Sequence, residues 1–202
     1  MWKGKSRNSM KIFFDTEFTG LHKSTTLISI GLISEDGRQF YAELTDYDLE
    51  QCDNWINENV LEHLITYHND NFEKSNYIPN LYVGDKQNIS MALKNWFKQF
   101  KSVELVSDVS HYDFVLFIDL FGTAFDLPDN ICPACYDINQ DIARKYSISQ
   151  QEAFDKSRED ILFQVYKENV INGDKHNALY DAKVIRELYQ ILNNVDFDKK
   201  KG

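Results

Sequence analysis

Asp15 and Glu17 stand two residues apart in the run KIFFDTEF, residues 11–18, whose other residues are mostly apolar. A strand alternates its side chains, so both carboxylates point to one face of a sheet and repel each other. A third acid, Asp181, lies on the apolar stripe of a helical pattern, three residues after Ala178 and four before Ile185. A fourth, Asp113, sits in the first turn of HYDFVLFIDLF, a helical run that is apolar nearly all round. An acid among buried apolar residues is costly unless it is paired or binds a metal.

Each anomaly has an ordinary explanation by itself. Asp15 and Glu17 would suit a strand end emerging into solvent, and a first-turn acid favours the helix dipole. His176, five residues before Asp181, would be a common loop histidine. Taken together they fit one chemistry. Four carboxylates can hold two divalent cations about 3.5–4 Å apart, the spacing used for phosphodiester displacement. Oxygen-only ligands suit Mg²⁺ or Mn²⁺. A neutral histidine can then take a proton from the attacking water, because its pKa lies near working pH.

The elements that must position these residues can be read along the chain. Residues 11–18 read as a strand, LISIGLIS (27–34) as a second, and RQFYAELT (38–45) as its return after the hairpin signal Glu35-Asp36-Gly37. Helical spacing runs through 48–64, and residues 65–88 read as an irregular surface excursion. An amphipathic helix is expected over 89–100, a strand over 103–109, and an apolar helix over 111–121, stopped by Gly122. A short strand near 134–138, helices within 139–146 and 149–169, and a final helix over 177–192 complete the pattern. A three-strand meander followed by alternating helices and strands predicts an α/β domain with a mixed sheet. Residues 1–9 read as a loose extension, 10–195 as the domain and 196–202 as a frayed tail.

Composition narrows the field. The 202 residues include 14 Phe and 11 Tyr, enough for one domain with a substantial core. No apolar run is long enough to span a bilayer, and the polar N-terminus lacks a signal-peptide core, so a soluble cytoplasmic protein without membrane partners is expected. The formal net charge of −10 argues against broad electrostatic binding of nucleic acid, but not against an enzyme whose acidic site is neutralised by cations. Cys52, Cys132 and Cys135 are an odd set, which argues against a disulfide framework. Cys132-Pro133-Ala134-Cys135 has redox spacing but lacks the strand-then-helix context that a redox motif needs, so two half-buried thiols are expected.

Asp15-Thr16-Glu17, Asp113 within HYDFVLF, and HNALYDA with His176 and Asp181 resemble, in order, the three motifs of the DEDDh 3′–5′ exonucleases. The likeness runs from about residue 11 to 192, and the wording of the opening stretch is most similar to the RNase AS-like and RNase T-like exoribonucleases. The resemblance implies an RNase H-like exonuclease fold with a five-stranded mixed sheet flanked by helices. It implies stepwise release of nucleoside 5′-monophosphates from single-stranded RNA 3′ ends, with adenylate preference as one variant, and two divalent ions, Mg²⁺ or Mn²⁺. Carried over by position, Asp15, Glu17 and Asp181 would ligate one ion, Asp15 and Asp113 the other, and His176 would be the general base. Phe18 and Leu21 would wedge against the terminal base, although Phe18 is equally read as core. Relatives are often dimers, so a homodimer is implied. Lys23, Arg38 and Arg186 are candidates for phosphate contacts. Two other functions compete: a DNA 3′–5′ exonuclease of repair or proofreading type, and a non-catalytic module that binds nucleic-acid ends.

Overall fold

The computed structural model describes residues 9–66 and 80–193. The expected extension and tail therefore lie almost wholly outside the described residues, as does most of the excursion read over 65–88. Among the described residues, six strands form one mixed sheet in the order β4-β3-β2-β1-β5-β6. They are β1 (Met10–Phe18), β2 (Leu27–Ser34), β3 (Gln39–Leu44), β4 (Leu81–Gly84), β5 (Val103–Ser107) and β6 (Ile131–Asp137). Only β2 runs against the others: it is antiparallel to β1 and β3, whereas β1–β5, β5–β6 and β3–β4 are parallel pairs.

The meander forms as its alternation requires. The turn after β2 uses Gly37 at φ +90°, a conformation that glycine adopts without steric cost. Ser34 Oγ donates to Asp36, and Arg38 N–H donates back to Ser34 Oγ at 2.9 Å, closing the turn. The sheet has six strands rather than five. The additional β4 is a four-residue edge strand with half its residues exposed, too short for a period-two signal to stand out.

Among the described residues the helices are α1 (Asn54–Asn59), α2 (Lys86–Phe97), α3 (Ser110–Phe121), α4 (Asn139–Tyr146), α5 (Gln150–Asp155), α6 (Arg158–Tyr166) and α7 (Ala178–Asn193). The helical spacing over 48–64 resolves into a 3-10 turn at Leu49–Gln51, the short α1 and a second 3-10 turn at Leu61–His63. Asp48 and Asp53 both act as N-caps there, and an N-cap leaves the helical conformation, so the run cannot be one helix. The range 149–169 divides in the same way, because Ser157 starts α6 by accepting from Asp160 N–H.

Two apolar layers cover the sheet. Ile12 and Phe14 of β1 pack with α2 and α3 residues such as Phe97 and Phe117, whereas Phe13 packs with Ala182, Ile185 and Leu188 of α7. The alternation of β1 therefore aims Asp15 and Glu17 at the α7 layer, and Thr16 and Phe18 at the α3 layer. One glycine makes the close approach of α7 possible. A Cβ on Gly31 of β2 would lie 2.3 Å from the backbone of Ala178 and Leu179. Gly31→Ala is expected to push the start of α7 off the sheet and to cost roughly 3 kcal/mol or more. A denaturant midpoint unchanged from wild type would show that the helix can give way.

Candidate active site

The carboxyl ends of β1 and β5 lie side by side because the two strands pair in parallel, Phe13 beside Val106. Beyond that point β1 supplies Asp15 and Glu17, and the turn after β5 supplies Asp108. The crevice at the carboxyl ends of parallel strands is the usual ligand position in such sheets. Here it opens into a cavity of about 670 Å³, lined by Asp15, Glu17, Asp108, His176 and Asp181 among others.

Asp113 reaches the same place from the other layer. It sits in the first turn of α3, is 1% exposed, and accepts from Thr16 Oγ1 at 2.6 Å and from Ser107 Oγ. The even-numbered face of β1 thus holds one acid while the odd-numbered face carries two others. Asp181 arrives on α7. Asn177 caps that helix, its Oδ1 accepting from Leu179 and Tyr180 N–H, both at 3.2 Å. His176 takes the left-handed conformation, φ +65°, and its backbone N–H donates to Asp181 Oδ2 at 2.9 Å. The loop histidine and the helix acid are therefore locked together.

Ligand atoms of Asp15, Glu17 and Asp181 lie within 4.8 Å of one another, and so do those of Asp15, Asp108 and Asp113. Two carboxylate triads thus share Asp15. The electrostatics show what the arrangement lacks. Burial pushes Asp15 well above the usual carboxylate range, and Asp113 and Asp181 push it further. Glu17 is raised by burial and then by Asp181 and Asp113. Burial lifts Asp113 to about 7 against the hydrogen bonds from Ser107 and Thr16, and lifts Asp181 to about 8 with Asp108 adding to it. The cluster needs positive charge, and an all-carboxylate donor set suits hard divalent cations. Burial acts on His176 in the opposite sense, lowering its pKa, so its ring is neutral at working pH.

The structure brings Asp15, Glu17, Asp113, His176 and Asp181 together around one cavity. Phe18 and Leu21 also line the cavity, Leu21 strongly exposed and Phe18 half-buried and stacked on Tyr112 at 5.3 Å. Phe18 is thus both core and cavity wall. The basic candidates are placed elsewhere. Arg38 pairs with Asp36 and lies over the Phe100 ring, and neither it, Lys23 nor Arg186 lines this cavity, whereas Lys156, Arg158 and Lys175 do.

Sequence reading missed three residues here. Asp108 is recognisable only as an acid at a strand's carboxyl end. Arg158 gave no signal. Its Nε donates to Asp108 Oδ2 at 3.0 Å and its other nitrogens bind Asn139 Oδ1 and the carbonyls of Ala153, Phe154 and Lys156. It therefore ties the α5–α6 corner to the acidic centre. Trp55, off the apolar stripe of its segment, was the readable signal: it is 52% exposed and meets the His176 ring edge-on at 5.3 Å. Trp55→Ala is expected to raise KM for a dinucleotide by roughly tenfold, since stacking one base contributes about 1–3 kcal/mol. An unchanged KM would reduce Trp55 to a support for His176.

Cys132 and Cys135 are free, half-buried thiols within strand β6, not at a strand end that opens a helix as a redox motif needs. That removes the redox reading. Among the described residues no helix is long and apolar enough to cross a membrane.

A single mixed sheet with carboxylates converging from β1, α3 and α7, and a histidine beside the last, is the arrangement that the resemblance to the DEDDh exonucleases implies. Residues 10–192 match the 3′–5′ exoribonuclease Rv2179c-like domain model, and the chain belongs to that family. Over 124 residues it is 31% identical to the 3′–5′ exoribonuclease Rv2179c of Mycobacterium tuberculosis, covering 60% of this chain and 67% of that protein. Solved structures share the fold at low identity. The nuclease domain of 3′hExo, a DEDDh family member bound to rAMP, superposes with TM-score 0.60 at 14% identity, over 95% of this chain and 96% of that one. Pop2p of S. pombe, in its Mg²⁺- and Mn²⁺-bound form, gives TM-score 0.60 at 18% identity, over 93% and 84%. A 3′-exonuclease recognising a histone mRNA stem-loop gives 0.63 at 12% identity over 94% of this chain, which spans only 65% of that one.

Proposed function

We propose that this chain is a metal-dependent 3′–5′ exoribonuclease that removes nucleoside 5′-monophosphates one at a time from single-stranded RNA. The observation that carries the proposal is the pair of carboxylate triads sharing Asp15, with His176 tied to Asp181 in the same cavity. Asp15, Glu17 and Asp181 would hold one divalent cation, and Asp15 and Asp113 the other. When bound, the cations supply the positive charge that offsets the carboxylates and the charge developing on the phosphoryl oxygens. Mg²⁺ is the proposed occupant, with Mn²⁺ able to replace it; the relative that superposes with both ions bound supports this.

His176 takes the proton of the attacking water, which its lowered pKa permits at neutral pH. Its left-handed backbone and its link to Asp181 set the ring's approach. Phe18, Leu21 and Trp55 bracket the terminal base by stacking and apolar contact, which any base can satisfy. That rAMP binds a fold relative supports adenylate as one accepted 3′ end. Lys156 and Lys175 stand on the cavity wall where a backbone phosphate would enter. Few cations serve so acidic a chain, which favours a homodimer in which the second subunit adds basic groups to the groove.

The test is a time course on 5′-labelled single-stranded RNA and DNA of one mixed sequence, with Mg²⁺, Mn²⁺ or EDTA. Shortening by single nucleotides, dependent on metal and faster on RNA, is expected. Faster loss of DNA would replace the proposal with a DNA exonuclease, and no cleavage of either would leave an end-binding module.

A further inference from the structure

A second cleft, of about 440 Å³, lies on the other side of α7 and is lined by Ile33, Gln39, Tyr166, Lys183, Arg186 and Glu187 among others. Lys183 and Arg186 are one helical turn apart on α7, so their side chains share a face. Both are partly buried, and neither forms an ion pair among the described residues. Arg186 spends one nitrogen on the backbone carbonyl of Glu35, at 3.1 Å, while its Nε is buried with no hydrogen-bond partner. The cleft's one acid, Glu187, is engaged at 3.4 Å by the Tyr166 hydroxyl. In a chain with net charge −10, two neighbouring cations that line one cleft and have no carboxylate partner among the described residues make that cleft a place for an anion.

We propose that this cleft binds a phosphate group, with Arg186 and Lys183 as its ligands. The fork of Arg186 suits two phosphate oxygens, and Lys183 adds a point charge. The site is coupled in space to the first. Helix α7 gives Asp181, Val184 and Ile185 to the catalytic cavity and Lys183, Arg186 and Glu187 to the second cleft. The loop between α6 and α7 does the same, with Val170, Ile171 and Asn172 in the second cleft and Lys175 and His176 in the first. A phosphate held here would brace the loop that carries His176. Phosphate can come from the backbone of an RNA whose 3′ end is in the catalytic cavity, a source that rests on the function proposed above, or from a free nucleoside 5′-monophosphate.

The experiment compares wild type with the Lys183→Gln/Arg186→Gln double variant, with Lys183→Arg and thermal melts as controls for folding. In EDTA, binding of a 12-nucleotide RNA, AMP and inorganic phosphate is measured by calorimetry and by salt titration. In Mg²⁺, turnover of the 12-mer is compared with that of a dinucleotide. If RNA backbone is the ligand, the variant's 12-mer KM rises about tenfold with dinucleotide turnover unchanged, and the slope of log affinity against log salt falls by about 1.4, some 0.7 for each of two lost contacts. If a mononucleotide is the ligand, AMP and phosphate binding in EDTA is lost while both KM values stand. Equal binding of all three probes by wild type and a folded variant would overturn the site, and does so whether or not the chain degrades RNA.

Discussion

Asp181→Asn is expected to lower RNA turnover by about 10³-fold or more while leaving the fold intact. The amide oxygen still accepts the His176 N–H, so the helix start and the loop stay in place. What is lost is one unit of negative charge in the triad with Asp15 and Glu17, the charge that in the proposed function holds a cation at the transition state. Turnover within a few-fold of wild type would remove the two-cation reading. The same substitution should stabilise the metal-free protein. Asp181 and Asp113 have folded pKa values near 8 and 7, against an ordinary 3.8, so the folded state holds protons that the unfolded chain releases. The stability carried by a raised pKa is fully present below about pH 4 and is lost as pH rises through those folded values. In EDTA, wild type should therefore melt at a lower temperature at pH 8.5 than at pH 5.5, by an amount reflecting a few kcal/mol at about 1.4 kcal/mol per pK unit. Mg²⁺ should restore the loss, and Asp181→Asn should flatten the dependence. A pH-independent melt in EDTA would mean that the acids do not repel as their placement implies.

His176→Ala is expected to lower kcat by about 10²- to 10⁴-fold with Mn²⁺ binding unchanged, the range a positioned general base contributes. His176→Asn is the companion variant, because asparagine tolerates the left-handed backbone at φ +65° and keeps the loop in shape. A base must be unprotonated to work, so wild-type kcat should rise with pH through the His176 pKa, which burial holds below its ordinary value of 6.5. Both variants should lose that acidic limb. Weakened Mn²⁺ binding with kcat restored at saturating metal would instead make His176 a support for Asp181.

The two variants separate the parts of one device. In the proposed function Asp181 holds charge and His176 moves a proton, and a single backbone hydrogen bond ties the two residues. Gly31, which lacks any group that could react, is what allows α7 to bring both against β1. Its substitution should damage the site by displacement, which distinguishes it from either chemical variant.

The clustered acids were legible because they break local rules. Asp15 and Glu17 interrupt an apolar strand, and Asp113 and Asp181 sit in the first turns of apolar helical patterns. Periodicity of two or 3.6 is a property of neighbouring residues, so the strands β1 to β3 and the helices α3 and α7 could be traced from the chain alone. Where regular spacing conflicted with local chemistry, the chemistry prevailed: Asp48, Asp53 and Ser157 act as caps and divide segments whose spacing suggested longer helices. The short edge strand β4 exists by pairing with β3, and nothing in its four residues announces that partner.

The sequence by itself thus determined the family, the ordered set of acids and the layers that carry them, since these depend on residue type and short-range spacing. The tertiary structure alone decided which groups meet. Asp108 joins the acids because β1 and β5 pair in parallel and bring their carboxyl ends together. Arg158 reaches it from 50 residues away, and Thr16 steers Asp113 across 97. Arg186, one of three interchangeable cations in the sequence, is set apart only by the cleft in which its nitrogen is buried. Contacts of that kind are fixed by packing between distant segments, and no local pattern of residues encodes them.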